Sequence, residues 1–179
     1  MVKNFNRSTG LLGGSFDPAH KGHLEISKIA ISKVKLNEIL WLVTKRNPFK
    51  KKPFYSLQQR LKQAEKISKS VKKIKVIHLD KVAGSTRSVD IINYLINKKK
   101  IKNIHFIIGS DNLIKFHKWK SWKKIVKLTK LIVFSRKGYD RKSYNSIVAK
   151  YLKNKIIFIK NKPINISSSK LRKRLKIRY

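Results

Sequence analysis

Six short segments rich in apolar residues are spaced along the chain, and stretches with a helical repeat of apolar residues separate most of them. An uninterrupted apolar run is typical of a strand covered on both faces, whereas apolar residues recurring every three or four positions predict a helix with one buried side. The predicted strands span 11–14, 38–44, 74–79, 104–108, 131–134 and 156–159. Their alternation with helices predicts an α/β fold with a doubly wound parallel sheet, whose ligand binds at the carboxyl ends of the strands.

The first predicted strand ends in a bend that opens into a helix. Gly13-Gly14 close the apolar run, and the chain turns through Asp17-Pro18 before a helical repeat begins. Glycines at such a bend permit a positive φ and a close approach to a ligand, and the free N–H groups of a helix start favour an anion. His20 and His23, three residues apart, are expected on one side of the first helical turn. The bend therefore predicts a phosphate site, while a βα turn with two surface histidines is the simpler interpretation of the pair alone.

Polar residues also follow three later strands. Thr44 comes after the second strand, Gly109-Ser110-Asp111 after the fourth and Ser135-Arg136 after the fifth. Because the carboxyl ends of parallel strands share one edge, these residues are expected to line one cleft.

Length and charge bound the kind of protein. With 179 residues, 41% of them hydrophobic, the chain is predicted to form one domain, 1–179, around one core. The formal charge of +38 ordinarily indicates a polyanionic partner. However, 37 of the 46 basic residues are lysines spread along the chain, and arginine is the residue that phosphate recognition prefers. Two interpretations stay open: the lysine bias of an AT-rich genome, or a selected contact with nucleic acid or a membrane surface.

The absence of cysteine excludes disulfides, thiolate nucleophiles and zinc–thiolate sites, and it fits a reducing cytoplasm. The polar N-terminal segment does not resemble a signal peptide, and no apolar run approaches the length of a membrane span. We therefore expect a soluble, cytoplasmic protein. The pattern does not distinguish interface faces from core faces, so a homo-oligomer remains open.

The segment from Gly13 to His23 closely resembles the motif of the HxGH nucleotidyltransferase superfamily, whose members transfer a nucleotidyl group from a nucleoside triphosphate. Its Gly-Gly-x-Phe-Asp-Pro prefix is similar to the nicotinate-nucleotide adenylyltransferase branch. Near the C-terminus, 166–172 resembles the superfamily's second motif, Ile-Ser-Ser-Thr-x-x-Arg, with Ser169 in place of the threonine. These serines can also cap a last basic helix. The resemblance implies a single-domain, Rossmann-like fold of the HxGH nucleotidyltransferase type.

The resemblance implies a reaction in which the acceptor phosphate attacks the α-phosphorus of ATP in line, so the protein positions the substrates and neutralises charge. The implied catalytic residues are His20, His23 and Arg172, which would stabilise charge that develops towards pyrophosphate. Among the implied ATP contacts, Gly109 and Asp111 would border the ribose. The full implied ATP-binding set is Gly13, Gly14, Ser15, Phe16, His20, Gly22, His23, Gly109, Asp111, Arg136, Ile166, Ser167, Ser168 and Arg172.

The acceptor implied by the resemblance is nicotinate mononucleotide. Trp119 would stack on its pyridine ring, with a role as a core anchor as the alternative. The segment 84–90 resembles the family's Pro-Ser-Tyr-Thr segment, but Ser85 replaces the proline and Arg87 replaces the tyrosine, which removes a ring contact and adds a cation able to pair with a carboxylate. The loop that carries Lys50 lacks the histidine of many relatives. The implied acceptor set is Ser15, Thr44, Lys50, Thr86, Arg87, Ser88 and Trp119.

The implied activity joins ATP and nicotinate mononucleotide to give nicotinate adenine dinucleotide and pyrophosphate, a step of NAD synthesis. Two alternatives remain. One is a sister adenylyltransferase that uses nicotinamide mononucleotide or phosphopantetheine, and the other is a basic nucleic-acid-binding protein on a vestigial nucleotide fold. Magnesium is expected to enter with ATP, held mainly by substrate phosphates, because the sequence shows no carboxylate cluster for a dedicated site. No specific nucleic-acid partner is expected, and non-specific polyanion binding stays open.

Overall fold

The sheet has six parallel strands in the order β3-β2-β1-β4-β5-β6. The structure is a computed structural model that describes residues 7–45, 52–162 and 166–176. The order reverses between β1 and β4, which places the switch point of the doubly wound sheet at the ends of these two strands. The strands are β1 (Ser8–Gly14), β2 (Glu38–Val43), β3 (Ile74–Ile77), β4 (Asn103–Gly109), β5 (Lys130–Phe134) and β6 (Ile156–Ile159).

Eight α-helices are present in the described residues, most of them in the connections between strands. Ser56 is the N-cap residue of α2 and forms a capping box with Gln59. Its Oγ accepts from Gln59 N–H, and Gln59 Oε1 accepts from Ser56 N–H. The helices are α1 (Lys21–Val34), α2 (Leu57–Ser68), α3 (Ser88–Asn97), α4 (Ser110–Lys115), α5 (Trp122–Leu128), α6 (Asp140–Tyr144), α7 (Ile147–Leu152) and α8 (Ser168–Lys176). None of these helices, within the ranges just given, is long and apolar enough to cross a bilayer.

Side chains of each central strand alternate between two apolar cores, one on either face of the sheet. In β1, Leu11 packs with α3 and α5, whereas Leu12 packs on the side of α1 and α2. This two-sided burial explains the unbroken apolar runs, because both faces of each strand exclude water. The predicted α/β fold with a doubly wound parallel sheet is confirmed.

Two local predictions are corrected. The strand β3 ends at Ile77, so His78 lies beyond it, where its Nδ1 donates to the main-chain oxygen of Val43 at 2.8 Å. Gly13-Gly14 remain in β1, and the residue with a positive φ at the bend is Phe16, at 45°. Parallel pairing with β2 reaches Gly14, which keeps both glycines extended and moves the bend to the next residues.

Candidate active site

His20 and His23 cap the helix that follows the bend. The Nδ1 atom of His20 accepts a hydrogen bond from Gly22 N–H at 3.1 Å, and His23 Nδ1 accepts from His20 N–H at 3.2 Å. The two rings lie side by side, with centroids 3.9 Å apart. Since Nδ1 accepts in both rings, each neutral imidazole carries its proton on Nε2. The expected placement on one side of the first turn is confirmed, and the pair can donate two hydrogen bonds to one anion.

An aromatic column supports His23 from the protein interior. Phe16 is buried, and its ring centroid lies 4.7 Å from that of His23 and 5.2 Å from that of Trp41. Trp41 Nε1 donates to Ser27 Oγ, which donates in turn to the main-chain oxygen of His23, each over 2.8 Å. Phe16 is predicted as an ATP contact, but its side chain is buried and its ring packs against His23, where it supports the orientation of that imidazole.

Burial lowers the pKa of His20 from its usual value to about 4, and the positive charge of Arg136 lowers it further in the same direction. His20 is therefore neutral at pH 7. A neutral histidine that donates through Nε2 can bind a phosphate oxygen without first losing a proton, and its charge does not change across the physiological range.

Arg136 comes from the loop after β5, and three groups hold it. Its main-chain N–H donates to Ser110 Oγ at 2.9 Å and to Asp140 Oδ1 at 3.0 Å. Its side-chain Nε lies 3.4 Å from Asp111 Oδ1. Asp140 also accepts a short hydrogen bond from Ser135 Oγ, and these hydrogen bonds lower the Asp140 pKa against the opposing effect of burial. The predicted residues Asp111 and Arg136 thus meet as an ion pair, while Asp140 anchors the loop and was not predicted.

Gly109 leaves room for this ion pair. A Cβ atom on Gly109 would collide with the Asp111 carboxylate and lie 3.0 Å from Arg136 Nε. The backbone there has a φ of −87°, so the glycine is needed for space and not for its conformational freedom.

A cleft of about 460 Å³ opens between the start of α1 and the loop after β5. Six residues of the predicted ATP-binding set line this cleft, and they come from separate parts of the chain. They are His20, Gly22, His23, Gly109, Arg136 and Ile166. Gly13 and Gly14 lie at the end of β1, and Ser15 follows them half-buried. The cleft is where a triphosphate could meet the two histidines and Arg136.

The C-terminal helix docks on the bend through its predicted residues. Ser168 Oγ donates to the main-chain oxygen of Pro18 at 2.9 Å. Arg172 Nη1 donates a short hydrogen bond to the main-chain oxygen of Asp17 and lies 3.5 Å from its Oδ2. Ser167 Oγ caps α8 by accepting from Lys170 N–H at 3.2 Å. The two motifs, which lie at opposite ends of the sequence, are therefore in direct contact.

Arg60, which was not predicted, joins the ends of β1 and β2. Its side chain is almost fully buried and donates to four main-chain oxygens. Nη1 donates to Ser15 at 2.6 Å and to Thr44 at 2.7 Å. Nε donates to Tyr55 and Nη2 donates to Lys45, each at 3.2 Å. The guanidinium thereby holds the backbone of two predicted acceptor contacts, Ser15 and Thr44.

Two buried aspartates complete this arrangement. Asp17 accepts hydrogen bonds from Phe54 N–H and Tyr55 N–H, both at 2.9 Å, and Asp80 accepts from Lys45 N–H at 2.7 Å. Burial lowers the pKa of Arg60, and the charges of Asp17 and Asp80 oppose that shift. The sequence contained one indication: Arg60 lies three residues after Leu57 and four before Ala64, on the apolar side of α2.

The remaining predicted acceptor contacts are more dispersed. Thr44 lies beside Gly14, donating to its main-chain oxygen from N–H at 3.0 Å. Thr86 and Arg87 are exposed, and Ser88 begins α3. Lys50 lies outside the described residues. The structure therefore brings only part of this set together.

Trp119 is partly buried against the core. Its ring stacks on Phe116, with centroids 5.0 Å apart, and meets Phe106 edge-on at 6.1 Å. These contacts agree with the anchor interpretation, and the stacking of a pyridine ring stays a prediction.

Comparison with known proteins gives consistent results. The sequence model of the cytidylyltransferase-like family matches residues 11–174. A relative from Pelagibacter ubique (strain HTCC1062), named as a probable nicotinate-nucleotide adenylyltransferase, is 50% identical over 165 residues, which cover 92% of this chain and 91% of the relative. A second, from Erythrobacter litoralis (strain HTCC2594), carries the same name and is 34% identical over 146 residues, 81% of this chain and 66% of its own.

The fold also resembles a solved structure. The nicotinic acid mononucleotide adenylyltransferase of Plasmodium falciparum, complexed with NaAD, superposes with a TM-score of 0.76 at 21% sequence identity. The match covers 93% of this chain and 83% of that one. At this identity the similarity is one of fold.

Proposed function

The chain belongs to the nicotinate-nucleotide adenylyltransferases of the cytidylyltransferase-like family, and from this premise we propose that it transfers the adenylyl group of ATP to nicotinate mononucleotide. An oxygen of the acceptor phosphate attacks the α-phosphorus of ATP, and the bond to the β-phosphate oxygen breaks. The products are nicotinate adenine dinucleotide and pyrophosphate. No protein nucleophile is needed, since the acceptor is itself an anion.

The observation that carries this proposal is the histidine pair beside Arg136. His20 and His23 line the cleft with Nδ1 used as an acceptor, which leaves Nε2 as the donor, and Arg136 lines the same cleft and lowers the pKa of His20. Donors fixed in advance stabilise the charge that develops on the leaving pyrophosphate without reorganising. Both histidines would donate hydrogen bonds to the phosphates of ATP. Arg136 would neutralise part of the charge that develops on the same leaving pyrophosphate.

Arg172 acts from the other side of the bend. Its guanidinium contacts Asp17, three residues before His20, so it sets the position of the turn from which the histidines project. Its two remaining predicted roles, a phosphate contact and charge stabilisation, require that Nη1 or Nη2 also reach the triphosphate when it binds.

We propose that magnesium arrives with ATP and is held mainly by phosphate oxygens. Carboxylates near the cleft already have protein partners: Asp111 pairs with Arg136, and Asp140 accepts from Ser135 and Arg136. Among the residues that the structure describes, no three histidine or acidic side chains form a group able to hold a metal ion. The bound ion would supply positive charge to the phosphates. This fits a site whose protein groups, two histidines and an arginine, donate hydrogen bonds to anions.

The acceptor is proposed to lie towards β2 and the start of α3. Arg87 is exposed at the first turn of α3, and the hydroxyl of Ser85 accepts its main-chain N–H at 3.1 Å while donating to Asp90 at 2.7 Å. This loop is therefore held in place while the Arg87 side chain remains accessible to a carboxylate. The carboxylate is what distinguishes nicotinate from nicotinamide mononucleotide.

The test is pyrophosphate release from magnesium-ATP with nicotinate mononucleotide, nicotinamide mononucleotide or phosphopantetheine as separate acceptors. Release is expected with nicotinate mononucleotide, at a preference of at least about tenfold in kcat/KM, which corresponds to about 1.4 kcal/mol. The variant His23→Asn keeps an acceptor for His20 N–H but removes the imidazole donor, and turnover should fall roughly a hundred- to a thousandfold. Folded protein that releases no pyrophosphate with any acceptor would refute the proposal.

A further inference from the structure

A second groove lies at the opposite edge of the sheet from the active-site cleft. It has a volume of about 1170 Å³ and is formed where β4, β5 and β6 begin. Its walls are 102–104, 126–131, 151–155 and Ile157. We call it the amino-edge groove. Its residues belong to no motif used above, so its chemistry requires a separate explanation.

Cations surround an apolar floor in this groove. Ile104, Val126 and Leu131 are buried beneath it. The groove is lined by five lysines, Lys102, Lys127, Lys130, Lys153 and Lys155, and its lining in the described chain includes no aspartate or glutamate. The positive charge of Lys130 contributes, after burial, to lowering the pKa of His105 in the adjacent strand. The groove is thus a site of positive potential with an apolar base.

The eight acidic residues are distributed unevenly over the fold. Five of them lie at or just beyond the carboxyl ends of strands or in the first helical turn that follows: Asp17, Asp80, Asp90, Asp111 and Asp140. Glu38, at the start of β2, is an exception: it lies at the same end of the sheet as the groove, where it pairs with Lys75 at 2.8 Å. Most of the carboxylates thus lie at the opposite end of the strands from the groove, and a uniform lysine bias does not account for their placement.

An exposed aromatic ring stands at the rim of the groove. Tyr151 is 46% exposed and meets Trp122 edge-on, with ring centroids 5.1 Å apart. Lys123 Nζ lies 5.8 Å from the Tyr151 centroid and 5.9 Å from the Trp122 centroid. A flat ring that is held by a neighbour, lies beside Lys123 and borders a groove lined by lysines is suited to stack on a base whose phosphates those lysines contact.

We propose that the amino-edge groove binds single-stranded nucleic acid, with its lysines on the phosphates and Tyr151 stacked on a base. An unpaired strand fits better than a duplex, because stacking on a protein ring requires a base free of its own partner. This site is independent of the adenylyl transfer proposed above, which takes place at the other edge of the sheet.

The chain offers a matched control on another surface. A groove of about 640 Å³ between α2 and β3 also carries lysines, but it contains a carboxylate and no aromatic residue. It is lined by Lys62, Glu65, Lys66, Ser68, Lys69, Ile74 and Val76. Replacing two lysines in each groove removes the same charge from the protein and separates a specific site from general attraction.

Fluorescence anisotropy of a labelled oligouridine of about 12 nucleotides, titrated from roughly 50 to 200 mM salt, measures affinity and its salt dependence. Lys153→Gln with Lys155→Gln should weaken binding and reduce the slope of log affinity against log salt by about 1.4, since each phosphate contact on a single strand contributes roughly 0.7. Lys62→Gln with Lys66→Gln should leave both quantities nearly unchanged. Equal losses in the two double variants would overturn the proposal.

The ring is tested separately. Tyr151→Ala should lower the affinity by about five- to a hundredfold without changing the salt slope, and Tyr151→Phe should retain the affinity. Tyr151→Leu keeps an apolar contact with Trp122 and decides the question if the alanine variant does not fold. Unchanged affinity in the leucine variant would refute stacking.

Other occupants of the groove are outcomes of the same experiment. Competition by polyglutamate with no binding of oligouridine would identify an acidic protein segment and overturn the proposal. A change of sedimentation coefficient in the groove variants, with oligouridine binding intact, would identify a contact between two copies of the chain and overturn it equally. Pyrophosphate release should be the same in all groove variants.

Discussion

Arg172 and Asp17 form a direct contact between the last helix and the turn that leads into His20. Arg172 donates to the main-chain oxygen of Asp17 and lies 3.5 Å from its carboxylate, which itself accepts two N–H groups from residues 54 and 55. The Asp17 side chain therefore joins its own turn to residues 54–55 and to α8, three segments that are distant in the sequence. We expect the position of the two proposed catalytic histidines to depend on this contact.

Replacement of Arg172 by methionine should lower kcat by about a hundredfold or more, because the turn loses its anchor and the phosphates lose a cation. In a double-mutant cycle with Asp17→Ala, the unfolding free energies should show a coupling of about 0.5 to 3 kcal/mol. Urea denaturation of the four proteins measures it. Strict additivity would show that the pair contributes no interaction energy.

The buried state of His20 predicts how stability depends on pH. Its folded pKa is about 4 and its ordinary value is 6.5, so between these values the unfolded chain binds more protons than the native one. The resulting stability is fully present above pH 6.5 and is lost as the pH falls towards 4, in a total of about 3 kcal/mol.

Denaturation midpoints measured from about pH 4 to about pH 7.5 test this dependence. Other groups titrate in the same range, so the informative quantity is the difference between the wild type and His20→Asn, whose introduced amide oxygen can still accept the Gly22 N–H. This difference should decrease as the pH falls. Parallel curves for the two proteins would contradict the assignment of a lowered pKa to His20.

Arg60→Met should destabilise the fold by about 3 kcal/mol or more, since it leaves four main-chain oxygens without their donor and removes the positive charge of Arg60 from the buried Asp17 and Asp80. Arg141 is exposed on α6, and Arg141→Met should change stability by less than about 0.5 kcal/mol. Thermal and urea unfolding of both variants provide the comparison. Similar losses in the two variants would mean that the burial of Arg60 contributes little.

Gly109→Ala should displace Arg136 and raise the KM for ATP more than that for the acceptor, because the new methyl group occupies the space of the Asp111–Arg136 pair. Gly13→Ala is the control for stability alone, measured by urea unfolding, because its Cβ would meet only Phe106, at 3.9 Å; its KM is not compared, since Gly13 is itself a predicted ATP contact. Steady-state kinetics with each substrate varied in turn measures the effect. An unchanged KM for ATP would place ATP away from this pair.

Features that depend on neighbouring residues could be predicted from the sequence. The strands were recognisable because burial on two faces gives unbroken apolar runs, as at 39–43 in β2. The histidine pair could be placed because a separation of three residues puts both rings on one side of a helical turn. The motif at 166–172 was recognised by resemblance, and its contact with Asp17 required the structure.

Features that depend on partners distant in the sequence could not be predicted from the sequence. Arg60 binds oxygens up to 45 residues away, and its position on an apolar helix side does not reveal which carbonyls meet it. The helices α5 and α6 contain seven and five residues, too few for a helical repeat to be visible. A positive φ was expected at Gly13-Gly14 and is found at Phe16. The reason is that the pairing of β1 with β2 continues through both glycines, which keeps their backbone extended.

The separation of carboxylates from the amino-edge groove makes the two edges of the sheet electrostatically unequal. A protein with such a charge distribution has a preferred orientation on a negatively charged surface. Its amino-edge groove, where carboxylates are fewest, faces that surface. Adsorbed in this way, the enzyme would keep its active-site cleft directed towards the solution. Small substrates could then enter and products leave while the protein remained immobilised.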